Sequence, residues 1–146
     1  MDARDQKIRG YVYSHFIELQ RPPAISEIAA HLGLSRDRVN ESLYRLHSGH
    51  MLVLEKSGEV RMAMPFSAVP TGIRVTANQK SWWAVCAWDA LGISVVLNAD
   101  SDIETTCPDC SARIDLQVRS ASVSGDAEII RFGVPAAHFW DDIIHT

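Results

Sequence analysis

The sequence predicts an α+β protein: an N-terminal winged-helix-like helical region, then a small mixed or antiparallel sheet domain with helices. Three observations predict it. Apolar residues recur at spacings of three and four as far as about residue 47, the stripe of amphipathic helices. Short β-prone runs bounded by turn residues dominate afterwards. Between the later runs lies one long apolar stretch, Trp82 to Leu97, interrupted only by Asp89 and Ser94. With 146 residues, 47% apolar and 22% charged, the chain has the material for one ordinary core or two small ones.

Ile8, Val12, His15 or Phe16 and Leu19 place a first helix over residues 6–19, which Pro22 and Pro23 end. Ser26 is the expected N-cap of a short second helix carrying Ile28, Ala29 and Leu32, closed by Gly33 as a left-handed C-terminal residue. Ser35 caps a third helix from about Arg36 to His47. Its Val39, Leu43 and Leu46 face inward, and Arg36, Arg38, Asn40 and Arg45 stay outside. Helix, glycine-bearing turn and helix make the helix-turn-helix pattern. Met51 to Glu55 and Val60 to Met64 around Lys56-Ser57-Gly58-Glu59 complete it with a hairpin, the wing.

Residues 1–65 are therefore expected to form the winged-helix-like region, 66–72 a linker rich in small residues, and 73–146 the second domain. Strands are expected at Ile73 to Thr76, Ile103 to Thr106, Ile114 to Val118 and Glu128 to Phe132, and a last helix at Ala136 to Ile144 after Pro135. The stretch Trp82 to Leu97 reads as a buried helix. It is short for a membrane span, and an aspartate near its middle would cost about 2.5–3.5 kcal/mol on insertion.

Eighteen acidic against fourteen basic residues give a net charge of -4. Residues 1–65 hold nine basic and eight acidic side chains, leaving five and ten for residues 66–146. That balance argues against nucleic acid as a partner, since Arg36, Arg38 and Arg45 on the third helix are offset by Asp37 and Glu41. The first ten residues lack the apolar run of a signal peptide, and three cysteines do not make a secreted disulfide framework, so a cytoplasmic location is expected. His31, His47 and His50 have no cysteine or carboxylate spaced to complete a metal site.

Chemistry concentrates at Cys86-Ala87-Trp88-Asp89. On a helix, residues three apart share a face, so the thiol of Cys86 and the carboxyl of Asp89 would meet. A thiolate suits a soft, thiophilic metal, and a carboxyl among Trp82, Trp83, Trp88 and Leu91 is suited to hold a proton for delivery. Spacing alone favours a plainer account, a buried cysteine acting as a small hydrophobe beside a helix-end aspartate. Cys107-Pro108-Asp109-Cys110 is half of a structural zinc site without its other half, although His138 or His145 stand later in the chain. Its plainer account is a tight turn between strands. Asp141 and Asp142 are adjacent, so on a helix they point apart.

Taken together, Trp83-Ala84-Val85-Cys86-Ala87-Trp88-Asp89-Ala90-Leu91 with its apolar continuation to Leu97, the turn Cys107-Pro108-Asp109-Cys110, and Pro135-Ala136-Ala137-His138-Phe139-Trp140-Asp141-Asp142 resemble the organomercurial (alkylmercury) lyases. The resemblance extends from about residue 20 onward, because that family also begins with a winged-helix-like segment that is structural. The cysteine-x-x-aspartate core is its specific part and reverses the order that spacing alone gives. The resemblance implies protonolysis of a carbon–mercury bond to a hydrocarbon and Hg(II), with Cys86 binding mercury as thiolate and Asp89 handling the proton. The implied partners are an organomercurial substrate and small cellular thiols, with no resident cofactor unless zinc occupies Cys107 and Cys110.

The family also uses a second active-site cysteine shortly after the segment matched by residues 138–146, and this sequence stops at Thr146. The expectation is a chain truncated before that residue, as by a selenocysteine codon read as a stop. Otherwise Cys107, Cys110 or a small thiol supplies the second sulfur, or the protein binds mercurials without cleaving them. The rival expectation from another class is a winged-helix regulator or binding module that senses or sequesters mercurials through Cys86.

Overall fold

Asp2 opens the first helix by accepting the Asp5 N–H at 2.8 Å, and Asp5 returns the contact to the Asp2 N–H, a capping box that starts α1 at Ala3–Leu19. The computed structural model describes residues 2–124 and 129–144. Helices α2 (Ile25–Leu32) and α3 (Arg36–Ser48) follow. Gly33 takes the left-handed conformation at φ 63° between them, and the Ser35 hydroxyl accepts the Arg38 N–H, as the sequence predicts. Ile8, Val12, Phe16, Ile28, Val39 and Leu43 are fully buried and form the helical part of the core.

Two details of this region differ from expectation. The N-cap of α2 is Ala24, not Ser26: the Glu27 carboxylate takes the Ala24 N–H at 2.7 Å, so the helix starts early enough to bury Ile25 and Ile28. Leu19 ends its helix 52% exposed, outside the buried stripe. Arg45 does not simply face solvent either. Its guanidinium holds the buried Asp5 carboxylate at 2.7 and 3.1 Å and ties α3 to α1.

That pair gives the first testable expectation. The Arg45 hydrogen bond holds the Asp5 carboxyl at about 2, against 3.8 for an unperturbed aspartate. Because the folded value lies below the unfolded one, the stabilisation is complete above 3.8 and is lost as pH falls toward about 2. Arg45→Ala is expected to destabilise the fold at neutral pH, by less than the loss of a fully buried pair would, because the guanidinium is half exposed. Urea unfolding across pH 2–6 checks it, with the variant losing part of the acid-side slope.

The strands are β1 (Val53–Leu54), β2 (Val60–Ala63), β3 (Phe66–Ser67), β4 (Arg74–Ala77), β5 (Lys80–Ala84), β6 (Ser101–Thr106), β7 (Arg113–Arg119) and β8 (Ser122–Val123). They form one sheet in the order β1-β2-β3-β5-β4-β6-β7-β8, and every pairing is antiparallel. The β1–β2 hairpin lies where the two β-prone runs predict it. Residues 66–72 contribute β3, which pairs with β2 on one side and β5 on the other. The Trp82 indole donates to the Phe16 carbonyl at 2.7 Å in the buried interior, and Tyr13 donates to the Met64 carbonyl at 2.8 Å, so α1 is fixed to the sheet.

The apolar stretch Trp82 to Leu97 is not one helix. Trp82, Trp83 and Ala84 belong to β5, and helix α4 runs only over Ala87–Leu97. Trp82 and Ala84 alternate inward with the period of a strand, whereas Ala90, Ile93 and Ser94 are the buried face of α4. A continuous apolar run carries no signal that separates these two periods. No helix among the described residues is long and apolar enough to cross a membrane.

The end of the chain departs furthest from expectation. Residues 129–132 form no strand, and Glu128 lies outside the described residues. The helix expected at Ala136 to Ile144 shrinks to one 3-10 turn at Ala136–His138. Instead of presenting a helical face, the segment lays Trp140 flat on His50, with ring centroids 4.2 Å apart.

Candidate functional site

Strand β5 and helix α4 meet at Val85 and Cys86. The Val85 N–H donates to the Pro65 carbonyl at 3.2 Å, which pins the seam to the segment before β3. A Cβ at Gly92 would come within 3.4 Å of the Pro65 ring, so α4 rests closely on the same proline. Ser94 and Ser101 share a buried hydroxyl–hydroxyl hydrogen bond that anchors the far end of α4 to β6.

Cys86 is the N-cap residue of α4 in extended conformation, and Asp89 is the third residue of the helix. Its Sγ donates to Asp89 Oδ2 at 3.2 Å. The two side chains thus converge as the spacing predicts, but through cap geometry rather than along a helix face: only one member of the pair is helical.

Burial is the main cause that pushes the Cys86 thiol up. The Trp88 and Asp89 amides oppose it, while the Asp89 charge and the hydrogen bond it accepts both hold the proton on sulfur. Burial likewise raises the Asp89 carboxyl above the usual carboxylate range, partly offset by the thiol and the Cys86 backbone. The result is a proton shared by two groups, each reluctant to carry charge.

The pair opens into a cavity of about 610 Å³. One wall comes from Met62, Met64, Val69 and Pro70, and the segment 130–144 covers the other with Phe132, Phe139 and Trp140. This covering wall was not anticipated, because its aromatic residues follow no helical or strand period. A mostly apolar cleft with a few convergent polar groups of shifted ionisation is the form a small-molecule site takes.

Cys107 and Cys110 lie elsewhere. They sit in the β6–β7 turn, closed by Cys107 N–H to the Ala112 carbonyl at 2.8 Å and Ser111 N–H to the Cys107 carbonyl at 2.9 Å, and neither lines the cavity. The backbone amides of Cys110 and Asp109 pull the Cys107 thiol below the ordinary thiol range. No group of three or more His, Cys, Asp or Glu side chains able to hold a metal ion occurs among the described residues. His138 instead bonds Asp141 at 2.9 Å, and His145 lies outside the described residues.

The opposite shifts of the two thiols order their reactivity. At pH 7, iodoacetamide is expected to alkylate Cys107 well before Cys86, because only the thiolate reacts. Raising the pH should close the gap. Peptide mass spectrometry over a time course checks this, and faster labelling of Cys86 at neutral pH contradicts the account of the pair.

A family model described as alkylmercury lyase matches residues 66–146. Among solved structures, the "Crystal structure of the mercury-bound form of MerB2" is similar, with a TM-score of 0.68 and 22% identity. The matched region covers 86% of this chain and 60% of that one, so the likeness is one of fold and spans less than two thirds of the longer protein. No curated protein matches the sequence significantly.

Proposed function

Because the chain belongs to the alkylmercury lyase family, we propose that it cleaves carbon–mercury bonds by protonolysis, with Cys86 as the mercury-binding nucleophile and Asp89 as the proton carrier. The observation that supports this most is the 3.2 Å contact between Cys86 Sγ and Asp89 Oδ2 at the wall of an apolar cavity. In this reading residues 1–65 are a winged-helix-like scaffold and residues 73–146 carry the chemistry. In this reading its role is structural, with Arg45 of α3 engaged by Asp5 of α1.

The geometry supports a two-step route. An organomercurial arrives as an adduct of a small thiol. As the Cys86 sulfur bonds mercury, its proton passes to the Asp89 carboxylate and the carrier thiolate leaves. Asp89 then returns that proton to the carbon. The carbon–mercury electron pair becomes the new carbon–hydrogen bond, the hydrocarbon departs, and mercury remains as Hg(II) on sulfur. No oxidation or reduction occurs. The raised thiol keeps the proton available at the start, and the raised carboxyl is a weaker acid than a free aspartate, so it holds the transferred proton more readily until the carbon takes it. Cys86 is the single cysteine that lines the cavity among the described residues, and in this reading a small thiol takes Hg(II) away from it.

The test is a single-turnover reaction of the protein with a phenylmercury compound and excess small thiol, with benzene measured by gas chromatography. Benzene at up to one equivalent per chain is expected. Mercury retained on Cys86 with no benzene would replace the lyase reading with stoichiometric sequestration.

A further inference from the structure

The cavity is apolar over most of its wall, yet two guanidinium groups line it: Arg61 from β2 and Arg131 from the covering segment. Asp89 is the one carboxylate among its described lining residues. Arg61 is largely buried, with 24% of its side chain exposed. One of its terminal nitrogens donates to Glu55, while its Nε is buried without a hydrogen-bond partner among the described residues. Arg131 forms no ion pair with any described residue. A cleft with apolar walls and an excess of one charge concentrates ligands of the other. The chemistry proposed for Cys86 and Asp89 uses neither arginine.

We propose that Arg61 and Arg131 form an anion-recognising end of the cavity, and that its preferred guest is an organomercurial whose organic group carries a carboxylate, such as a mercuribenzoate. This rests on the reading of Cys86 as the mercury-binding thiol. A carboxylate matches the planar fork of a guanidinium, and the aromatic body of the guest lies against Phe132, Phe139 and Trp140. The carrier thiol leaves when Cys86 takes the mercury. A carboxylate held through the reaction therefore belongs to the organic group and not to the carrier.

The experiment measures capture rates at Cys86 by stopped flow in the Cys107→Ser/Cys110→Ser protein. The 2-mercaptoethanol adducts of 4-mercuribenzoate and phenylmercury are compared, each rate divided by that of the same compound with N-acetylcysteine. The expected normalised preference for the benzoate is about tenfold at low salt, shrinking as ionic strength rises. Arg61→Gln with Arg131→Gln should bring it to about one while phenylmercury capture is unchanged, and Arg61→Lys should restore part of it. Should Arg61→Gln also slow phenylmercury, its effect is one of folding, and Arg131→Gln alone then has to lower the preference.

A wild-type ratio near one, or a preference that survives both substitutions, overturns the proposal and leaves the role of Cys86 standing. Capture of neither compound overturns the role of Cys86 itself. In a further arm, phenylmercury is carried on mercaptoacetate. An arginine-dependent acceleration there, equal to that seen with the benzoate, would move the carboxylate to the carrier and refute its assignment to the organic group.

Discussion

Cys86→Ser, made in protein whose Cys107 and Cys110 are already serine, is expected to retain no phenylmercury through gel filtration and to release no benzene. The Cys107→Ser/Cys110→Ser parent should retain one equivalent of mercury and release benzene. The chain has three cysteines, so this comparison isolates the one in the cavity and removes the two exposed or half-exposed thiols that would otherwise take up mercury. The effect is a total loss because a hydroxyl is a hard, neutral ligand at this pH and a soft metal selects thiolate. Equal retention by both proteins would mean that mercury binds somewhere other than Cys86.

Asp89→Asn should separate the two steps. The Asp89 charge holds the proton on Cys86, so its removal in the asparagine variant, which keeps an acceptor oxygen, lowers the thiol and leaves more thiolate at pH 7. Capture is expected to persist or quicken. Release of hydrocarbon should fall by roughly 10²- to 10⁴-fold, the range that a positioned proton donor contributes. In the parent, release should be bell-shaped in pH. It falls on the acid side as Asp89 fills with a proton and cannot take the one on sulfur, and on the alkaline side as the thiol ionises without handing its proton on. Both limbs lie above those of the free groups because burial raises both, and they belong to the pair rather than to either residue. The variant should lose the acid limb. Loss of capture in parallel with release would show that Asp89 is needed to build the pocket, not to move the proton.

How far the fold could be read in advance followed how local its causes are. Gly33 and Ser35 act within a turn of themselves, and α3 forms where they place it. The cap of α2 was misplaced because its cause, the Glu27 carboxylate reaching back to Ala24, competes with a serine that looks as good on paper. The break between β5 and α4 was hidden for a different reason. Its exposed positions, Trp88, Val95 and Val96 among them, are as apolar as its buried ones, so neither period shows. Cys86 and Asp89 were legible as a converging pair because three residues of chain hold them together under either geometry. Arg61 and the covering segment were not, since their place at the cavity depends on how the sheet and the 129–144 segment lie over each other, which no spacing encodes.

The proton-sharing pair sits within a single turn of backbone, and its two members are brought together by covalent connectivity more than by distant packing. Substitutions scattered through the sheet can therefore alter what fits beside the sulfur without dismantling the sulfur–acid unit. Guest preference and bond-breaking ability are free to drift separately, and relatives of this chain should differ first in the company their reactive turn keeps.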